Sequence, residues 1–101
     1  MRIGIVARQD MPEAIKFTRK VLKFLTKADV VLERGLATKL GRRGVQIQDM
    51  KVDAIITIGG DGTLLLAQQR APDVPVLGIN MGGKGFLADV NQAEARQALG
   101  K

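Results

Sequence analysis

Asp61 is a carboxylate set inside a glycine turn. The run Gly59-Gly60-Asp61-Gly62-Thr63 packs three glycines and one acid into four residues. Ahead of it, Ala54 to Ile58 is apolar and rich in β-branched residues, the composition of a strand buried on both faces. Behind it, Thr63 to Arg70 reads as helix, so a helix should begin near Asp61 or Gly62. Strand, glycine turn and helix together make a phosphate-binding layout. Small residues let a phosphate approach the backbone, and a helix N-terminus offers unpaired N–H groups. A diphosphate would meet Asp61 as a like charge, which is unfavourable for plain anion binding. The carboxylate makes sense if it works with a metal or takes a proton from a hydroxyl. The structural alternative is that Asp61 caps the helix and the glycines only shape a tight turn.

A second glycine-rich block follows, Leu77-Gly78-Ile79-Asn80-Met81-Gly82-Gly83-Lys84-Gly85-Phe86-Leu87. Gly78 with Gly83-Lys84 approaches the spacing of a P-loop, but Gly85 stands where the magnesium-binding Ser or Thr belongs. Gly78 also falls inside a predicted strand rather than after it, so the P-loop reading is rejected. No G-x-G-x-x-G opens a helix after the first strand, so the standard dinucleotide fingerprint is absent too. The plain structural reading of Asn80 is a turn residue after a strand, and that of Phe86 a core aromatic.

The elements that must position these blocks follow from hydrophobic pattern. Arg2 to Ala7 and Asp29 to Glu33 read as short strands, and Val74 to Ile79 as a further buried one. Gln9 to Pro12 is a turn, with Asp10 a candidate cap and Pro12 at the first helical position. Glu13 to Ala28 is an expected helix whose apolar face holds Ala14, Phe17, Val21, Phe24 and Ala28, widened by Ile15, Leu22 and Leu25. Lys16, Arg19, Lys20, Lys23 and Lys27 on its other side read as a solvated face rather than a nucleic-acid patch. Leu36, Ala37 and Leu40 suit one helical turn, Gly41-Arg42-Arg43-Gly44 is a basic loop, and Val45 to Asp49 is a short edge piece or irregular. Asn91 to Leu99 is an expected last helix. This alternation implies an α/β domain: three layers, Rossmann-like, with a mainly parallel sheet and helices on both faces. Ligands of such sheets lie beyond the carboxyl ends of the strands. If the strands are neighbours, Gly59–Thr63 and Asn80–Phe86 face one cleft.

The 101 residues make one domain, 1–101, with 46% hydrophobic and 26% charged residues, ordinary for a globular fold. Three Phe with no Tyr or Trp leave little for stacking bases, which argues against a nucleic-acid partner. The net charge of +6 favours anionic partners, nucleotides and polyphosphates among them. With no Cys and no His, thiol chemistry and zinc-thiolate sites are excluded, and acid–base work falls to carboxylates or lysines. No run of the sequence reaches membrane-spanning length and no signal peptide is visible, so the expectation is a cytoplasmic protein without a membrane partner.

Gly59-Gly60-Asp61-Gly62-Thr63 resembles the GGDGT motif of the NAD kinases, which lipid kinases share and phosphofructokinases carry in variant form. The second block resembles the NAD kinase segment G-[IV]-N-x-G-x-L-G-F-L and separates that family from the others. The resemblance covers the whole chain as the N-terminal part of such an enzyme. It implies phosphorylation of the adenosine ribose 2′-hydroxyl of NAD, with ATP or polyphosphate as donor and a divalent metal, Mg²⁺ in the first instance. By the same resemblance Asp61 activates the hydroxyl, and Gly59, Gly60, Gly62 and Thr63 belong to the phosphate loop. Asn80 and Gly82 belong to the second loop, and Phe86 lies near the adenine. A homo-oligomer is implied as well. Gly83-Lys84 departs from the family pattern, where a polar or basic residue is followed by Leu, and leaves the role of Lys84 open. The family's second, mostly β domain, with its Asn-Glu dipeptide, has no counterpart in the sequence. The expectation is therefore an N-terminal fragment, inactive alone. A lipid or sugar-alcohol kinase, a non-catalytic nucleotide-binding module and a purely structural piece of the domain stay as alternatives.

Overall fold

A computed structural model describes residues 1–81; the expected helix Asn91–Leu99 lies outside them. The chain runs β1 (Arg2–Ala7), α1 (Pro12–Phe24), β2 (Asp29–Leu32), α2 (Arg34–Lys39), a 3-10 turn (Ile47–Asp49), β3 (Ala54–Gly59), α3 (Asp61–Arg70) and β4 (Val76–Asn80). The four strands form one parallel sheet in the order β2-β1-β3-β4. Alternation along the strands sends side chains to two cores. Ile5, Ala7, Ile56 and Ile58 pack with Ala14, Phe17 and Val21 of α1 and Leu36 of α2. Val6 and Ile55 pack on the other side with Ala67 of α3, Ala71, Ile47 and Met50. Helices therefore cover both faces, as the strand–helix alternation requires. The side chains of Ile5, Leu36, Ile55, Ile58 and Ile79 are fully enclosed. Each contributes about 1.5–3 kcal/mol by leaving water.

Several boundaries differ from the sequence reading. The first helix ends at Phe24 rather than Ala28, because Leu25 leaves helical geometry at φ −95°, ψ 38°. The chain must turn there. The Asp29 N–H donates to the Met1 carbonyl at 3.0 Å, and Asp29 then pairs with Arg2 to start β2 beside β1. Phe24 is consequently 44% exposed, not a core residue. Thr18 takes a buried place on that helix instead, its hydroxyl donating to the Ala14 carbonyl at 2.8 Å. The cap of α1 is Met11, with no side-chain bond, and not Asp10; Pro12 is helical as expected.

The second strand ends at Leu32, and Glu33 becomes the cap of α2. Its carboxylate accepts from the Gly35 N–H at 2.8 Å and the Leu36 N–H at 3.1 Å. At the other end of α2, Arg42 N–H donates to the Ala37 carbonyl and Gly41 N–H to the Thr38 carbonyl, with Gly41 at φ 68°. This Schellman closure needs the left-handed backbone that glycine supplies. The last described strand starts at Val76, not Val74. Pro75 has no N–H to give the ladder, though its carbonyl accepts from Ile55 N–H at 2.9 Å.

Candidate active site

Strand order decides where a ligand can lie. From β1 the chain passes through α1 to β2 on one side, and from β3 through α3 to β4 on the other. The helices α1 and α3 lie on opposite faces. The neighbouring strands β1 and β3 thus form a topological switch point, and a crevice opens beyond their carboxyl ends. Arg8 follows β1 at that edge, its N–H donating to the Ile58 carbonyl at 2.9 Å. The glycine turn follows β3 at the same edge.

Each glycine of the turn has its own reason. A Cβ on Gly59 would stand 2.8 Å from Thr63 Oγ1 and 2.9 Å from Arg8 Cβ, so the fold itself demands glycine there. A Cβ on Gly60 or Gly62 would meet nothing within 4 Å among the described residues. These two glycines border a cavity of about 280 Å³ lined by Arg8, Gly60, Asp61, Gly62 and Thr63. Gly60 is the cap position of α3 and Asp61 is its first helical residue. The cap reading of Asp61 is therefore corrected: the carboxylate stands one place inside the helix, at the cavity. Leu64 N–H is bonded to the Gly60 carbonyl at 3.3 Å. In any α-helix the N–H groups of the first turn have no acceptor within the helix itself.

The second glycine block begins beside the first. Asn80 is the last residue of β4 and pairs in register with Gly59, and the Met81 N–H donates to the Gly59 carbonyl at 2.8 Å. Asn80 is a strand residue, so its reading as a turn residue is corrected. Gly78 lies within β4, as the rejection of a P-loop required. Gly82, Lys84 and Phe86 lie outside the described residues.

Sequence reasoning passed over Arg8 and saw Asp10 only as a cap. The Arg8 Nε donates to Asp10 Oδ1 at 2.7 Å, with a second bond to Oδ2 at 3.3 Å. The hydrogen bond from Arg8 holds the Asp10 carboxyl below the ordinary carboxylate range, and the same bond raises the Arg8 guanidinium. The available signal was a cation directly after a parallel strand, but only the strand order places it opposite Gly59–Thr63.

Among the described residues no group of three or more His, Cys, Asp or Glu could hold an ion. Among the described residues Asp61 is the only carboxylate lining the cavity. That set fits Mg²⁺ arriving with phosphates, because Mg²⁺ keeps several waters and needs only one or two carboxylates beside phosphate oxygens. It does not fit a resident metal held by protein alone.

Comparison with known proteins identifies the family. The sequence profile of the ATP-NAD kinase N-terminal domain matches residues 34–101. The chain belongs to the NAD kinase family. The NAD kinase of Methanothermobacter thermautotrophicus is 41% identical over 106 residues, covering 98% of this chain and 38% of that protein. The NAD kinase of Thermococcus gammatolerans is 42% identical over 108 residues, covering all of this chain and 39% of that protein. The chain thus spans less than two-fifths of the NAD kinases it matches. A crystal structure of yeast NADH kinase complexed with NADH superposes with a TM-score of 0.80 at 20% identity, covering 97% of this chain and 36% of that one. That likeness establishes the α/β fold.

Proposed function

We propose that this domain carries the base and the phosphate turn of an NAD kinase, transferring a phosphoryl group from ATP to the adenosine ribose 2′-hydroxyl of NAD. The observation that carries the reading is the position of Asp61: first residue of α3, at a cavity whose other walls are Gly60, Gly62, Thr63 and Arg8. An alcohol nucleophile needs a positioned base, and phosphoryl transfer otherwise depends on alignment and charge neutralisation. Asp61 takes the hydroxyl proton. Gly60 and Gly62 give the phosphates room against the backbone, and Thr63 offers its hydroxyl at the same wall. Asn80, held beside Gly59, with Gly82 and Phe86 beyond it, forms the nucleoside side of the cleft. Mg²⁺ bound with the donor neutralises charge on its phosphates. Polyphosphate is the alternative donor. Family membership and relatives named NAD kinase support this reading.

The working protein is a cytoplasmic homo-oligomer in this reading. No helix among the described residues is long and apolar enough to cross a membrane. Phe24, Leu65 and Leu66 are exposed apolar side chains available for self-association. The test is formation of NADP from NAD with ATP·Mg²⁺ or polyphosphate, measured on this chain and on the full-length gene product. Turnover by the full-length product and little by residues 1–101 is expected. A full-length product that phosphorylates a lipid or sugar alcohol and leaves NAD untouched overturns the reading.

A further inference from the structure

Arg8 and Asp10 are not needed to build the sheet, yet they stand at its switch point. A phosphate entering the cavity meets the Asp61 carboxylate, so a cation is required on another wall. Arg8 is the only cationic residue lining that cavity among the described residues. Its Cβ lies against Gly59, which fixes the root of the side chain at the turn. Arg8 also borders a second cavity of about 330 Å³ with Gln9, Asp10, Glu33 and Thr63, so Arg8 and Thr63 are shared by the two neighbouring hollows. In the structure the guanidinium grips Asp10 with two nitrogens, Nε at 2.7 Å and a terminal nitrogen at 3.3 Å. The same planar fork suits two oxygens of a phosphate. Arg8 and Asp10 are both exposed at the surface, and exposed pairs of this kind exchange at little cost.

We propose that Arg8 is the phosphate-binding cation of the glycine turn, and that Asp10 holds it in the empty domain and gives it up when a polyphosphate chain arrives. The chemical class of ligand is a linear polyphosphate or the phosphate tail of a nucleoside triphosphate. The identification of that tail as the phosphoryl donor rests on the NAD kinase reading; the phosphate contact itself does not. Arg8 then binds the anion, and Asp10 sets how tightly by competing for the same fork.

The test uses tripolyphosphate and ATP·Mg²⁺ as probes in calorimetric titrations of the full-length protein and its Arg8→Ala, Arg8→Lys and Asp10→Asn variants. Circular dichroism checks that each variant is folded. Arg8→Ala should weaken tripolyphosphate and ATP roughly 10–100-fold, the size of a lost bond to a charged group, and leave NAD affinity unaltered. Arg8→Lys should fall between, since an ammonium cannot fork. Asp10→Asn should tighten both probes several-fold. The Arg8 Nε–H resonance should shift on adding tripolyphosphate to the parent protein. Unchanged probe affinity in Arg8→Ala overturns the proposal. So does a parent protein that binds no tripolyphosphate, or an Asp10→Asn variant weakened as much as Arg8→Ala. The two readings fail separately. If NADP forms but Arg8→Ala leaves the donor KM unaltered, the Arg8 assignment is wrong and the kinase stands. If no NADP forms yet Arg8→Ala still loses tripolyphosphate, the kinase reading is wrong and the Arg8 site stands.

Discussion

Gly59 and Asn80 are register partners on the last rung between β3 and β4. Both glycine-rich blocks therefore leave the sheet at one level, and the bond from Met81 N–H to the Gly59 carbonyl carries the pairing one residue further. On its other side Gly59 touches Arg8. One residue without a side chain thus sets the spacing between β1, β3 and β4 where a ligand would enter.

The glycines of the turn should respond to alanine with opposite signs. Gly59→Ala drives a methyl to within 2.8 Å of Thr63 Oγ1 and 2.9 Å of Arg8 Cβ. Overpacking of this kind costs about 1–3 kcal/mol. Gly62→Ala enters open space in the first turn of α3 and gains up to about 1 kcal/mol of helix propensity. Urea unfolding should separate the two, with Gly59→Ala less stable than the parent and Gly62→Ala equal or more stable. Gly62→Ala should nevertheless bind ATP·Mg²⁺ more weakly, because its methyl occupies the cavity. Equal destabilisation by both would make Gly62 a packing residue and remove the case for room kept for phosphate.

Elements with a strong period were legible in the sequence. Arg2–Ala7 is the first strand to the residue, and Ala54–Ile58 gains only Gly59. Most of what was not legible depended on partners far along the chain. Nothing in Leu25–Ala28 marks a helix end: no Gly, no Pro, only the requirement that Asp29 meet Arg2. Glu33 is the local exception: it follows an apolar run and reads as the end of that strand, yet its carboxylate reaches two N–H groups of α2. Asp61 and its glycines were visible by type and spacing alone. Arg8 was invisible for the opposite reason: its significance lies in β1 pairing with β3, which no local pattern states.

The Glu33 cap gives a second stability prediction. Glu33→Ala removes the acceptor of the Gly35 and Leu36 N–H groups and the partner of Gln9, whose amide donates to Oε1 at 3.3 Å. Loss of a cap costs about 1 kcal/mol. Glu33→Gln should recover part of that, since its carbonyl still accepts. Chemical denaturation of the three proteins checks the order. A variant with alanine as stable as the parent would show that α2 is held by Leu36 and Ala37 packing alone.

The Arg8–Asp10 pair fixes one pH dependence. Asp10 is held below its ordinary value of 3.8, chiefly by the Arg8 hydrogen bond. A depressed carboxyl contributes stability above its unfolded value and loses it as pH falls through the folded value. The pair should therefore give no stability change between about pH 5 and 8 and a decline only in acid. Carboxyl carbon resonances followed by NMR should show Asp10 titrating below 3.8 in the parent and moving up in Arg8→Ala. An Asp10 midpoint indifferent to Arg8→Ala would mean that the two side chains do not pair in solution.

Asp61→Asn tests the chemistry most directly. The substitution keeps the size of the side chain and the first helical position, so α3 should form as before. It removes the negative charge from the cavity and with it the proton acceptor. In the full-length gene product NADP formation should fall roughly 10²–10⁴-fold, the usual contribution of a general base. Binding of ATP without metal should hold or tighten, because a phosphate no longer meets a carboxylate beside Arg8. These two changes run in opposite directions, and a misfolded or misplaced turn could not produce both. Steady-state rates with NAD and ATP·Mg²⁺, and calorimetry with ATP alone, read them separately. A variant that turns over as fast as its parent would leave Asp61 with a helix-end role and would move the base to another residue of the cleft.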